Sequence, residues 1–271
     1  MYDNTLSRWL QPPQAAVTDL MPLLLACAAL LGGCHETAAQ ASPPPLSVAA
    51  AADLHYAFTA LGKRFEAAHH QPIRFTFGST GLMTRQLIEG APYDLFAAAD
   101  RSFAQRTISA GVCARDSEQL YAQGRLVLWT QHPKGRGTLR TLADLRHPGW
   151  RKIAIANPEH APYGRAAQAA LQKVGLWQRL KPRIVYGENV RQTLQFAASG
   201  NADVAIIALS LAVATPKGRF ARVPANAHPR IAQSLVRCPG GKAPAAARAF
   251  VDLLNSDEGQ ATMHRFGFVR P

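Results

Sequence analysis

Four short segments carry the groups best suited to chemistry: Ala52-Asp53, Ser79-Thr80, Ala99-Asp100 and Pro162-Tyr163-Gly164. Each follows a short apolar run and opens a stretch of helical periodicity. The first turn of a helix leaves N–H groups unpaired and carries the positive end of the helix dipole. Several such turns brought together would form an anion site. Each segment alone has a plainer reading. Ser, Thr, Asp and Asn cap helices whatever the function, and Gly78-Ser-Thr-Gly81 serves as a turn as readily as a binding loop. It matches neither G-x-x-x-x-G-K-[ST] nor G-x-G-x-x-G, so nucleotide binding gains no support.

Acid–base chemistry is the competing use of these residues. Glu159-His160 and the pair Asp53 and Asp100 offer carboxylates and an imidazole. There is no G-x-S-x-G elbow and no metal-spaced His pair. Glu159 and His160 adjoin inside a Pro-bounded loop, where shaping the loop or facing solvent accounts for them. His69-His70 are adjacent, point in different directions and read as a solvated helix end. No C-x-x-C or His-Cys spacing suggests zinc. Neither a resident cofactor nor a free metal cation is expected.

The elements that position the four segments alternate. Leu46–Ala51 is an apolar strand, and Asp53 stands where an N-cap would precede Leu54, Phe58, Leu61 and Phe65 at helical spacing. Ile73, Phe75 and Phe77 alternate as in a strand, and Leu82–Glu89 reads as a helix. Asp94–Ala99 is a strand followed by a helix over Arg101–Ala110. A second series runs through strands at Arg125–Thr130, Lys152–Ala156, Arg183–Tyr186, Asp203–Leu209 and Ile231–Val236. Its helices are Arg165–Val174 and one capped by Asn189. Two more close the chain, over Ala243–Leu254 and Ser256–Arg265. This order predicts an α/β fold with mostly parallel sheets flanked by helices. Ligands of such sheets bind beyond the carboxyl ends of the strands, where all four segments lie.

The 271 residues are 48% apolar and 17% charged, which excludes disorder, collagen and coiled coil. Met21–Leu31 is an uncharged apolar run, too short to span a bilayer and suited to a signal-peptide core. Leu31-Gly-Gly-Cys34 has the form of a bacterial lipobox, in which Cys34 is acylated; Ala39-Gln-Ala41 offers ordinary cleavage instead. Export to the periplasm or cell envelope is expected, with the lipoprotein preferred. In an oxidising compartment Cys113 and Cys238 either pair or stand as two small apolar residues. The chain holds 30 Lys and Arg against 17 Asp and Glu, net +13. Without residues 1–33 the balance is 29 against 15, net +14. The basic residues are dispersed from Arg64 to Arg270, unlike the clustered face of a nucleic-acid binder, so no nucleic-acid partner is expected.

Several strings together resemble the periplasmic molybdate-binding protein family, the substrate-binding component of an ABC transporter. They are Val48-Ala-Ala-Ala-Ala-Asp-Leu54, Phe77-Gly-Ser-Thr-Gly81, Gly90-Ala-Pro-Tyr-Asp-Leu-Phe-Ala-Ala-Ala-Asp100, Asn157-Pro-Glu-His-Ala-Pro-Tyr-Gly164, Gly187-Glu-Asn-Val-Arg191 and Arg265-Phe-Gly-Phe268. The resemblance covers residues 46 to 268 and implies a two-lobed periplasmic binding protein fold of type II. Residues 1–45 would be leader and tether, 46–125 with 231–271 lobe 1, and 126–230 lobe 2. It implies capture of a tetrahedral oxyanion (molybdate, with tungstate second) and delivery to a membrane permease. Phosphate or sulfate binding is the alternative, with a hydrolytic enzyme as the second class.

Carried over, the ligand positions fall on Asp53, Thr80 with its neighbour Ser79, Ala99, Tyr163 and Val190. Ala99, Tyr163 and Val190 would give main-chain N–H groups. Asp53 stands where the family has a hydroxyl donor, and an ionised carboxylate repels a dianion. Three arrangements answer this. The side chain turns away and caps the helix, which is the expectation; or it is protonated and donates; or the ligand brings the proton. The family's distal tyrosine position falls on Ala208, with Ser210 and Tyr186 as candidate replacements.

Overall fold

Strands that are apolar on both faces must be covered on both faces, and that requirement organises the molecule. The computed structural model describes residues 43–131 and 137–271. The lipobox Cys34 and the leader lie outside them.

The described residues open with β1 (Leu46–Ala51), α1 (His55–His69), β2 (Ile73–Gly78), α2 (Thr80–Ile88), β3 (Leu95–Ala98), α3 (Arg101–Ser109) and β4 (Gln119–Gly124). It continues with β5 (Leu126–Thr130), β6 (Ile153–Ala156), α4 (Pro162–Lys173), α5 (Trp177–Leu180), β7 (Ile184–Gly187), α6 (Val190–Ala198), β8 (Val204–Ala208), α7 (Leu209–Val213) and β9 (Arg219–Arg222). β10 (Ile231–Arg237), α8 (Pro244–Asn255) and α9 (Asp257–Arg265) complete it.

Two five-stranded sheets result, in the orders β2-β1-β3-β10-β4 and β7-β6-β8-β5-β9. In the first, β2, β1 and β3 are parallel, β10 is antiparallel to both neighbours, and four strands therefore share one direction. The second repeats this with β5 as the reversed strand. The chain crosses between the sheets at Arg125 and again between Arg222 and Ile231. The fold is thus α/β and two-lobed.

Alternation along β1 shows how the faces are filled. Leu46, Val48 and Ala50 pack with Leu54, Phe58, Leu61 and Phe65 of the α1 side, while Ala49 packs with Met83, Leu87 and Phe103 of α2 and α3. Cys113 and Cys238 form a disulfide that ties the loop after α3 to the end of β10. His70 ends α1 in a left-handed conformation, exposed, as a solvated helix end.

Some boundaries differ from the periodicity. α4 begins at Pro162, three residues before the predicted start, because Pro suits the first helical position. β4 and β9 escape notice for different reasons: β4 has no period-two alternation, its buried Tyr121 and Ala122 being adjacent, and β9 is largely exposed with charged ends.

Both sheets have an interior strand (β1 or β6) from which the chain winds first to one side and then to the other. A crevice opens at the carboxyl ends of strands where winding reverses. The loops after β1, β2 and β3 line one crevice, and those after β6 and β7 line the other.

Candidate functional site

The two crevices face each other and enclose a cleft lined by Ala51, Ala52, Asp53, Gly78, Ser79, Thr80, Ala99, Ala161, Pro162, Tyr163, Asn189 and Val190. All six sequence-predicted positions, Asp53, Ser79, Thr80, Ala99, Tyr163 and Val190, come together there and are buried. The void is small. It suits a compact guest.

Backbone donors dominate the lining. α2 and α4 have no side-chain cap, and Pro162 brings no N–H. In α6 the Asn189 side chain accepts from Arg191 and Gln192 and leaves the Val190 N–H alone. Among the described residues the N–H groups of Thr80, Tyr163 and Val190 have no protein acceptor. The Ala99 N–H donates to Thr80 Oγ1 at 3.2 Å, which leaves the Thr80 proton to donate onward. Ser79 is committed differently. Its Oγ donates to the His160 carbonyl at 2.8 Å and lies 2.8 Å from His160 Nδ1.

Asp53 overturns the expected cap. It sits inside a 3-10 turn, Ala52–Leu54, that Ala51 precedes as N-cap, so its side chain is not placed to accept from the helix start. Oδ2 instead accepts from Tyr163 Oη at 3.0 Å and from Gln233 Nε2. Gln233 Oε1 accepts from Tyr121 Oη at 2.7 Å, which orients the amide. Among the described residues Oδ1 has no hydrogen-bond partner, and the residue's own N–H lies against its carboxylate. Burial pushes the Asp53 carboxyl up to about 6, against the hydrogen bonds from Gln233 and Tyr163 that favour the ion. Burial and the neighbouring Asp53 also push the Tyr121 and Tyr163 phenols well above their ordinary range, so both stay neutral.

Neither candidate replacement at the Ala208 position reaches the cleft as a donor. Ser210 Oγ donates to the Asp53 carbonyl at 2.8 Å, and Tyr186 is 46% exposed on β7. The phenols near the cleft belong to Tyr163 and, behind it, Tyr121. Gly124 makes room for the first: a Cβ there would lie 2.1 Å from the Tyr163 hydroxyl.

Contacts across the cleft hold the lobes together. His160 reaches Ser79 and also accepts the Gly81 N–H at 2.9 Å, so it bridges the lobes instead of merely shaping its loop. Glu159 is exposed. Arg165 Nη2 pairs with Asp100 Oδ2 at 2.9 Å and stacks over the Phe103 ring at 4.6 Å. Asp100 also caps α3.

Sequence reasoning missed Gln233, Tyr121 and the role of His160. Gln233 did leave a signal: an uncharged polar residue in the middle of the apolar run Ile231–Val236 is the informative kind of burial. The bridge made by His160 depends on how two lobes meet, which no local pattern records.

Two lobes closed on a small cleft of unpaired helix N-termini define a solute-binding protein. The profile of the family described as bacterial extracellular solute-binding protein matches residues 46–269. The chain belongs to that family. It is 34% identical over 214 residues to a molybdate-binding protein of Rhodobacter capsulatus, covering 77% of this chain and 82% of that protein. A molybdate-binding protein of Azotobacter vinelandii is 32% identical over 256 residues, covering 92% of this chain and 98% of that protein. The solved structure of the Azotobacter vinelandii periplasmic molybdate-binding protein superposes with a TM-score of 0.78 at 32% identity, covering 83% of this chain and 99% of that one.

Proposed function

We propose that this protein captures a tetrahedral oxyanion, molybdate, in the cleft between its lobes and delivers it to the membrane permease of an ABC transporter. One observation carries the reading. The unpaired N–H groups of Thr80, Tyr163 and Val190, from three helix starts, meet in one cleft whose lining contains no Lys or Arg. Hydrogen bonds from such donors to an ion contribute about 1.5–3 kcal/mol each. Together they replace the hydration that closure strips away. The relatives named for molybdate supply the choice among oxyanions.

The open form takes the anion on one lobe. Closure about the crossings at Arg125 and at 223–230 then completes the donor shell. Lobe 1 comprises residues 46–125 and 231–271, and lobe 2 residues 126–230. Asp53, Ser79, Thr80, Ala99, Tyr163 and Val190 form the anion site, with Ser79 acting through His160. Cleft size and a fixed set of donors select among ions of like charge and shape. The protein works outside the cytoplasmic membrane, anchored through Cys34; the Cys113–Cys238 disulfide suits such a compartment.

Isothermal titration with molybdate, tungstate, sulfate and phosphate tests the assignment. Saturable one-site heat with molybdate and tungstate is expected. Absence of heat with all four would overturn the ligand class, and phosphate-only binding would overturn molybdate.

A further inference from the structure

We propose that the cleft holds its anion together with one proton, placed between Asp53 Oδ1 and an anion oxygen, so that capture is linked to proton uptake. This rests on the oxyanion reading above.

The geometry decides which carboxyl oxygen carries the proton. Oδ2 receives two donors, the Tyr163 phenol and the Gln233 amide, and is fixed as an acceptor. Tyr121 donates to the Gln233 oxygen and so keeps the Gln233 amide nitrogen turned to Asp53. A proton on this carboxyl therefore resides on Oδ1, the oxygen without a partner, on a residue that lines the cleft. With that proton the residue is a hydroxyl donor to the anion. Without it, two like charges share a buried cleft.

The groups around Asp53 leave this proton to Asp53. Tyr163 of α4 and Tyr121 of β4 are neutral phenols held above their ordinary range. α7 presents Ser210 to the Asp53 carbonyl. On α1, His55 is lowered from its ordinary value by burial and by Arg191 of α6, so near neutral pH it is uncharged. Arg74 of β2 is exposed. His160 is engaged with Ser79, and Asp100 with Arg165. Burial already brings the Asp53 carboxyl to about 6 in the unliganded cleft, and a neighbouring dianion raises it further.

The proton count follows. Above pH 6 unliganded Asp53 is ionised, so binding a dianion draws one proton from solvent onto Oδ1. Affinity should then fall as pH rises, approaching tenfold per pH unit, and level off below about 6.

The test is calorimetric titration of the full mature protein with molybdate from pH 5.5 to 8.5, in two buffers of unlike ionisation heat. The wild type should take up close to one proton per anion near pH 8 and lose affinity up to tenfold per unit. Asp53→Asn supplies a permanent donor on the Oδ1 side and an acceptor on the other. It should bind with a flat profile and no uptake. Binding by the wild type with zero proton uptake and a flat profile overturns the inference alone, as does a slope retained in Asp53→Asn. Absence of binding by both proteins at every pH overturns the oxyanion reading, and this inference with it.

Discussion

Replacing Gly81 by Ala should wedge the cleft open while leaving each lobe intact. A Cβ on Gly81 would lie 2.7 Å from the His160 carbonyl oxygen, 2.9 Å from its Cβ and 3.0 Å from its Cα. Carbon–oxygen contacts settle at about 3.3–3.6 Å, so His160 must retreat by more than half an ångström. Two of the three contacts are backbone, on the opposite lobe, and cannot turn aside as a side chain would. Overpacking of this kind costs about 1–3 kcal/mol. The retreat also lengthens the Gly81 N–H to His160 bond of 2.9 Å and the Ser79 bond of 2.8 Å to the same oxygen. The open form bears none of this. Ala is moreover the better helix former within α2, by up to about 1 kcal/mol. A cost near 2 kcal/mol confined to the closed form weakens anion binding roughly 30-fold. Titration with molybdate measures that loss, and thermal unfolding of the unliganded protein checks that its Tm holds or rises slightly. Wild-type affinity in Gly81→Ala would refute the argument, because the bound form would then not bring Gly81 against His160. A sharp fall in Tm would refute the claim that only closure is affected.

Three further outcomes are expected. Reducing Cys113–Cys238, or replacing both by Ala, should destabilise the protein by about 2–5 kcal/mol in urea titrations, since the bond closes a 125-residue separation; an unchanged midpoint would contradict this. Asp53 should make the unliganded protein less stable as pH rises. Its carboxyl moves from 3.8 to about 6 on folding, so its contribution is fully present below 3.8 and is lost as pH rises through about 6. The loss is about 3 kcal/mol, so Asp53→Asn should raise the urea midpoint at pH 8 and leave it nearly unchanged at pH 4. Arg165→Ala removes a partly exposed ion pair with Asp100 and the contact over Phe103, and should weaken anion binding a few-fold, with a smaller difference in high salt; a loss beyond tenfold would show that Arg165 touches the anion.

How far the sequence discloses this site depends on the kind of contact. Helix starts after apolar strands are local features, so spacing places Thr80, Ala99 and Tyr163 at strand ends, while Val190 and the ligand role of all four come from the family strings. Their meeting in one cleft follows from the reversal of winding at β1 and β6. For Asp53 local pattern points to the right loop but the wrong partner. An N-cap is the local prior for Asp, but here partners more than 100 residues away decide its orientation: Tyr163 from the other lobe, and Gln233 from the strand on which the chain returns. Ser210 was considered as a donor to the cleft and proves to donate to the Asp53 backbone, again across lobes. The disulfide was open because spacing alone does not bring β10 beside the end of α3. What stayed hidden is what closure creates.

The same distinction changes the meaning of the basic composition. A net +13 suggests that positive side chains grip the anion, yet the cleft lining has none. Were a Lys or Arg placed beside Asp53, it would hold the carboxylate ionised and strip the proton from Oδ1, leaving a salt bridge where a donor is needed. Excluding cations from the lining is therefore what allows a carboxyl to stand in for a hydroxyl. In the proposed mechanism the dispersed charge acts on the ion only before it enters, drawing it from solution over distances that salt shortens. On the proposed reading, neutral donors inside fix the geometry, and Asp53 adds one demand that a serine or threonine hydroxyl would not make: the arrival of a proton with the ion.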